Sequence, residues 1–143
     1  MWNKLVSVLL CAVFIVGGIG GSASASNIVA ENELREAVSR YTYLHSINPI
    51  LSISNRTAAI SGTIKGYSNV TKITYEVTLQ VKDGSSWRYV DSWNGSQMAS
   101  SATYSYSKSG LISGNTYRTK TVVTIYSGSN SETVTAYSVE KKA

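Results

Sequence analysis

The stretch TKITYEVTLQV, residues 71–81, decides the fold. Apolar and polar side chains alternate along it without a break. The apolar set is Ile73, Tyr75, Val77, Leu79 and Val81, and the polar set is Lys72, Thr74, Glu76, Thr78 and Gln80. Successive side chains of a β-strand point to opposite faces, so this rhythm predicts a strand with one face buried and the other in water.

The same rhythm continues on both sides of this strand. Further alternating segments occupy residues 47–53, 58–64, 87–93, 102–108, 116–126 and 133–139. Residues with turn chemistry separate them, such as Asp83-Gly84, and Asn94-Gly95 is expected to end the strand that starts at Trp87. About seven strands joined by turns predict an all-β fold, a single antiparallel immunoglobulin-like β-sandwich.

The first 25 residues have the three parts of a secretory signal peptide. Lys4 gives a basic start, Leu5–Ile19 is an apolar run, and the small residues that follow end in Ala23-Ser24-Ala25. We therefore predict cleavage after Ala25 and a secreted, extracellular product with no stable membrane anchor. The alternative is an uncleaved anchor, but a spanning helix needs about 20 apolar residues and this run is shorter.

Residues 26–44 form a predicted leader between the signal peptide and the sandwich domain, which is expected over residues 45–143. By their spacing, Leu34, Ala37, Val38 and Tyr41 share one face of a helix. A helix this short is marginal on its own, so the leader is either one short helix or a loosely ordered spacer.

Charge and composition exclude several kinds of site. The 143-residue chain has 13 basic and 8 acidic residues, a net charge of +5, and the basic ones are not clustered as in a nucleic-acid binder. Cys11 is the only cysteine, so an intrachain disulfide and a thiolate zinc cluster are excluded. His45 is the only histidine, so a multi-histidine metal site is excluded as well. We expect no metal and no other cofactor.

The stretch Leu111-Ile112-Ser113-Gly114-Asn115-Thr116-Tyr117 resembles the turn into strand F of fibronectin type III domains, which reads Leu-x-Pro-Gly-x-x-Tyr. The resemblance implies a tyrosine corner, in which Tyr117 packs inward and its hydroxyl bonds back to the turn. Leu111 would be the apolar plug, and Gly114 would permit the bend. Ser113 replaces the usual proline, so the motif supports the topology and not a family function.

If Tyr117 points inward, the alternation of the strand at residues 116–126 decides which of its other side chains are buried and which are exposed. The side chains that then point inward are Thr119, Thr121, Val123 and Ile125. Those that point outward are Arg118, Lys120, Val122, Thr124 and Tyr126. If the two long strands are neighbours, this outward side lies beside Lys72, Thr74 and Glu76. A buried hydroxyl needs a partner, so we expect the inward threonines to bond neighbouring backbone.

Residues 41–138 as a whole are similar to a group of small secreted proteins of Gram-positive bacteria. The recurring pieces are a Leu-Gln strand end, a Gly-x-x-Trp-x-x-Val-x-x-Trp strand, and a Thr-Tyr-Arg strand that ends in Tyr-Ser-Gly. They occur here at Leu79-Gln80, at residues 84–93, and from Thr116-Tyr117-Arg118 to Tyr126-Ser127-Gly128. The resemblance implies export and a sandwich fold, and it brings no activity and no binding residues.

Few residues have the chemistry that catalysis needs. A Ser-His-Asp triad would require His45, and no nucleophile motif accompanies it. Among the acids of the sheet region, Glu76 is expected on a water-facing side and Asp91 lies between two tryptophans. Carboxylates on strands are mostly solvated or paired. We therefore predict no catalytic residues and no enzyme activity, with a hydrolase as a remote alternative.

Three aromatic residues are the best candidates for a binding site. Trp87, Tyr89 and Trp93 share strand parity, and flat rings exposed on a sheet suit the binding of sugars. We predict them as ligand-binding residues. The alternative, which is favoured because tryptophan buries a large area in protein cores, is that the tryptophans cap the core, with Trp87, Val90 and Trp93 facing inward through a β-bulge.

Together these features predict an exported, non-catalytic binding or interaction module of the bacterial cell surface or medium. Its partner would be an unknown protein or a glycan, and nucleic acid is not expected. The alternative is a structural, self-associating envelope or matrix component. Residues 116–126 carry few charges, so they would be able to pair between chains if they lay at a sheet edge.

Overall fold

The computed structural model describes residues 41–143. The predicted signal peptide (1–25) and residues 26–40 of the predicted leader lie outside the described residues. From residue 41 onward the chain forms strands and turns without a helix. This part accordingly has no helix of the length and apolarity needed to cross a membrane.

Eight strands form two antiparallel sheets. In chain order they are β1 (Leu44–Ser54), β2 (Thr57–Gly66), β3 (Lys72–Asp83), β4 (Ser86–Gln97), β5 (Ser101–Lys108), β6 (Thr116–Ser127), β7 (Asn130–Tyr137) and β8 (Lys141–Lys142). One sheet has the order β1-β2-β5, and the other has the order β4-β3-β6-β7, with the short β8 also paired to β6. The predicted all-β, immunoglobulin-like sandwich is confirmed, with one short strand more than expected.

The alternation of the sequence sets the two faces of β3 and β6. The predicted inward residues of β6 are all buried, as are Ile73, Val77 and Leu79 on β3. On the other side, Lys72 lies opposite Tyr126 and Glu76 opposite Val122, so the predicted neighbourhood of these two strands is confirmed. We call the outward side of the β4-β3-β6-β7 sheet the outer face. On β3 and β6 it consists of Lys72, Thr74, Glu76, Thr78, Gln80, Lys82, Arg118, Lys120, Val122, Thr124 and Tyr126.

Strand β4 does not end at Asn94-Gly95, contrary to the sequence-based expectation, but runs on to Gln97. Gly95 lies opposite Tyr75, and a Cβ at Gly95 would collide with the Tyr75 ring. Gly62 on β2 has the same relation to Tyr104, its partner on β5. Both glycines make room for a tyrosine across the strand pair, which is a packing role and not a turn signal.

The sandwich begins before residue 45, where the sequence placed the domain boundary. Leu44 is fully buried and starts β1. The Glu132 carboxylate on β7 accepts hydrogen bonds from the backbone N–H of Thr42 at 2.8 Å and of Leu44 at 3.2 Å. This contact, the Glu132 clamp, joins the start of β1 to the other sheet, so residues 42–44 belong to the sandwich and not to the leader.

The two buried threonines of β6 differ from the expectation that their hydroxyls bond backbone. Thr121 Oγ1 lies 3.0 Å from the hydroxyl of Tyr104, so it is hydrogen-bonded to a side chain of the facing sheet. Thr119 Oγ1 is buried without a hydrogen-bond partner among the described residues. A paired buried hydroxyl supports the fold, whereas an unpaired one costs free energy.

Replacing each threonine by the isosteric valine is expected to change stability in opposite directions. Thr119→Val removes an unpaired polar atom and should raise the free energy of unfolding by about 1 kcal/mol. Thr121→Val leaves the Tyr104 hydroxyl without its partner and should lower it by about 1–2 kcal/mol. Urea unfolding of the two variants and the parent measures both values. Destabilisation by both substitutions would contradict this account of Thr119.

Candidate binding surface

One extra residue in β4 decides where its aromatic side chains point. Asp91 lies opposite Leu79 on β3, and the next pair is Tyr89 with Gln80. Val90 therefore has no partner of its own. Such a β-bulge shifts the alternation of its strand by one residue, so the residues before and after Val90 follow opposite parity.

The bulge separates the three predicted ligand-binding residues. Trp87 and Tyr89 lie opposite outward residues of β3 and thus on the outer face, where 66% of Tyr89 is exposed. Trp93 lies opposite the buried Val77 and packs against the core, as does Val90. The common face expected for the three rings is not formed. The alternative, with both tryptophans inward, is not formed either, because Trp87 faces out.

Four aromatic rings close the side of the sandwich between β4 and β5. Trp93 stacks on Tyr106 with ring centres 5.2 Å apart. Tyr104 lies 6.1 Å from Tyr106 and 5.4 Å from Tyr75. Trp93 and Tyr75 belong to one sheet and the other two rings to the second, so this aromatic cluster holds the sheets together through ring contacts as well as buried area.

Arg118 lies between two aromatic rings on the outer face. Its Cζ is 4.1 Å from the centre of the Trp87 ring and 4.2 Å from the centre of the Tyr137 ring. Its Nε donates a hydrogen bond of 2.9 Å to Oε1 of Gln80. A guanidinium in this position is attracted by the electron-rich faces of both rings, which also fix its plane. We call these four residues the arginine stack.

The arginine stack is positively charged and has hydrogen-bond donors to spare. Partial burial lowers the pKa of the Arg118 guanidinium, and Tyr137 and Glu140 act in the opposite direction. A guanidinium stays protonated in proteins all the same. Lys82 adds a second cation, with its Nζ 5.7 Å from the Trp87 ring centre and 3.5 Å from Oε2 of Glu140. The described residues provide no acceptor for the two Nη atoms of Arg118, which can therefore bind an anionic group.

Sequence pattern alone did not single out Arg118 or Tyr137 as site residues. Alternation does place Arg118 on the outer face. Trp87 reaches it from β4, across the intervening β3, and Tyr137 reaches it from the neighbouring β7, so both contacts depend on the strand order β4-β3-β6-β7. The missing information was the strand order, because strand order sets the lateral neighbours of a side chain.

The charged residues that β3 and β6 place on the outer face are mostly basic. On β3 and β6 this face carries one acid, Glu76, and four cations, which are Lys72, Lys82, Arg118 and Lys120. A shallow depression of about 420 Å³ lies on this face toward the end of the sheet where β3 begins and β4 finishes. Its lining includes the hydroxyl and amide side chains of Thr74, Asn94, Ser96 and Thr124. Such groups both donate and accept hydrogen bonds without carrying charge.

The turn before β6 is held by Tyr117. Its hydroxyl accepts a hydrogen bond of 2.9 Å from the backbone N–H of Ile112, and Leu111 is buried beneath the turn. Gly114 has a φ of 86°, which favours glycine. The structure thus brings together Leu111, Gly114 and Tyr117 in a structural role. The same turn forms one wall of a groove of about 230 Å³ that begins beside Tyr89.

The residues considered for catalysis lie apart from one another. His45 is exposed, and its ring contacts Tyr67 edge to face at 5.4 Å. Asp91 is ion-paired with Lys108 at 2.8 Å, and this hydrogen bond, together with the N–H of Ser92, lowers the pKa of the Asp91 carboxyl. Between residues 41 and 143, no three His, Cys, Asp or Glu residues are grouped as metal ligands would be.

No known protein family matches the sequence, and no curated protein matches it either. Several solved structures are similar over 68% of this chain. CsgH of R. palustris is 14% identical, with 90% of its chain covered and a TM-score of 0.39. OgpA of Akkermansia muciniphila is 12% identical, with 27% of its chain covered and a TM-score of 0.42. The sensor domain of the anti-sigma factor RsgI4 of Pseudobacteroides cellulosolvens is 21% identical, with 96% covered and a TM-score of 0.34.

The aromatic cluster should give the protein a pH-dependent stability in the alkaline range. Burial, with Tyr106 and Tyr104 adding to it, raises the pKa of Tyr75 from 10.0 to about 12. Because the folded state favours the neutral phenol, Tyr75 contributes stability below pH 10 that is lost as the pH rises to about 12. Tyr75→Phe cannot ionise, so its free energy of unfolding should fall less steeply over this range. Equal slopes for variant and parent in denaturant unfolding would contradict the assignment.

Proposed function

We propose that this chain is an exported, non-catalytic binding module that uses its outer face to bind an acidic glycan. The observation that carries the proposal is the arginine stack. Arg118 lies over the rings of Trp87 and Tyr137, and its Nη atoms make no hydrogen bond to a described residue. A guanidinium fixed in this way is suited to receive a carboxylate or sulfate group in a bidentate contact.

The composition of the outer face supports a glycan rather than a protein partner. Protein interfaces have an apolar centre that is depleted in charge. The outer face instead carries Glu76 and Lys120 at its middle, and the lining of the depression beside them includes hydroxyl and amide groups, which match the hydrogen-bonding groups of sugars. Tyr89 adds an exposed ring at the edge of the sheet, where a sugar ring can stack.

Export is part of the proposal, and its support is the signal-peptide pattern of residues 1–25 together with the resemblance to small secreted proteins of Gram-positive bacteria. The assignment to the fibronectin type III variety of the sandwich is also a proposal. It is supported by the division into three and four strands and by the bond between Tyr117 and Ile112. Protein recovered from the medium should begin at Ser26, and recovery with residues 1–25 intact would contradict export by cleavage.

The non-catalytic character is proposed from the state of the candidate acids. Asp91 is held ionised in its pair with Lys108, and Glu76 is exposed on the outer face. The lowered pKa of Asp91 is the opposite of the raised pKa that a general acid needs. A hydrolase stays the alternative. It would require an activity that Glu76→Ala or Asp91→Ala abolishes.

Self-association through residues 116–126 is not part of the proposal. These residues form β6, which lies between β3 and β7. Both sides of the strand are already hydrogen-bonded within the sheet, so it is not an edge. The condition under which this segment could pair between chains, a position at a sheet edge, is therefore not met, and its few charges fit its central position.

Affinity electrophoresis in gels containing polygalacturonate, with neutral dextran as the comparison polymer, tests the glycan proposal. We expect retardation by the acidic polymer only. Arg118→Gln should weaken binding about tenfold, the equivalent of about 1.4 kcal/mol. Arg118→Lys should weaken it as well, because a lysine keeps the charge and loses the planar fork.

The control for charge is Lys65→Gln, which removes one positive charge from an exposed position on β2 in the other sheet. It should bind like the parent. Equal losses in Lys65→Gln and Arg118→Gln would mean that only net charge matters, and this would refute a specific site. Absence of retardation in the parent would refute the acidic-glycan proposal itself.

A further inference from the structure

The four edges of the two sheets are unequally protected against pairing with another strand. Edge strands expose unpaired N–H and C=O groups, and proteins guard them with proline, bulges or charged side chains. Here the edges are β1 and β5 in the three-stranded sheet, and β4 and β7 at the ends of the other sheet. Comparing their guards shows which edge is open.

Three of these edges are guarded. Strand β1 contains Pro49, which has no N–H, and its register is irregular near its start. Strand β4 has the bulge at Val90 and the charged side chains of Arg88 and Asp91. Strand β7 carries Glu132, whose carboxylate holds the N-terminal end of β1 against it.

Strand β5 has none of these guards. It pairs with β2 over eight consecutive residues, 101–108, with no register shift, proline or glycine. Its one charged residue, Lys108, stands at the end and is ion-paired with Asp91 at 2.8 Å. No described strand covers its other side, so about half of its backbone groups face outward.

The side chains of β5 form two uniform rows. One row faces the other sheet, with Ala102 and Tyr104 buried and Tyr106 stacked on Trp93. The opposite row consists of exposed hydroxyl residues, which are Ser101, Thr103, Ser105 and Ser107. Serine and threonine side chains hydrogen-bond each other across strand pairs, so this row is complementary to itself.

We propose that β5 is a self-association edge, at which two copies of this chain pair antiparallel through their β5 strands. A two-fold axis near the middle of the strand sets one hydroxyl row against the other. It also keeps the two Lys108 side chains at opposite ends of the paired strands. This surface is independent of the proposed glycan site, because β5 belongs to the other sheet.

The proposed pairing closes at a dimer. It joins two three-stranded sheets into one of six strands, and the edges of the new sheet are the two β1 strands. Those edges are guarded by Pro49, so the sheet does not grow further. In an isologous contact of this kind both copies use the same surface patch, so no unpaired β5 edge remains in the dimer to bind a third copy.

Sedimentation velocity over a wide range of protein concentration tests the proposal on the full purified chain. We expect the mass to double as the concentration rises. The double variant Thr103→Lys/Ser105→Lys puts two charges on the open edge and should stay monomeric. The matched control, Thr133→Lys/Thr135→Lys, puts the same two charges on exposed positions of the guarded edge β7 and should dimerise like the parent.

Hydrogen exchange of the parent protein gives a second measurement that does not depend on any variant folding correctly. Amides of residues 101–108 should exchange more slowly as the concentration rises, while those of β1 and β7 should not change. A parent that is monomeric at every concentration would overturn the proposal. Loss of the dimer in both double variants, or growth into assemblies larger than two chains, would overturn it as well.

Discussion

The site depends on the two-residue alternation of its strands and on the one place where the alternation shifts. In β3 and β6 every second side chain is fixed inside by its partners in the core, so the remaining side chains must form the outer face. Strand β4 obeys the same constraint until Val90, where the bulge reverses it. If β4 continued through Val90 in regular alternation, without the bulge, Trp87 and Trp93 would lie on one face, and either the arginine stack or the aromatic cluster would lose a ring.

Identical residue types therefore have different roles in this protein. Trp93 is stacked on Tyr106 and helps to hold the two sheets together. Trp87 lies over Arg118 on the surface, where its ring fixes the plane of a cation. The buried threonines show the same dependence on position. Thr121 is hydrogen-bonded to the Tyr104 hydroxyl of the facing sheet, whereas the Thr119 hydroxyl has no partner among the described residues.

The sequence was sufficient to predict the sandwich and the faces of its central strands, because a period of two is a local property. The faces of 71–81 and 116–126, and the turn at Tyr117, needed no knowledge of distant residues. The arginine stack could not be predicted in this way, since it unites side chains from β3, β4, β6 and β7. Gly95 was misread for a related reason. In the sequence alone, a glycine that ends a strand cannot be told from a glycine that makes room for the tyrosine ring of a neighbouring strand.

The Glu132 clamp and the arginine stack lie at opposite ends of the sandwich. The clamp holds residues 42–44 at the end of the sandwich where β7 begins, whereas Tyr137 of the arginine stack stands where β7 finishes, five residues or roughly 17 Å farther along. Any load applied through the preceding chain is transferred to the sandwich at the first of these ends. The arginine stack lies at the other end, so the proposed ligand site is well separated from the end at which the preceding chain enters the sandwich.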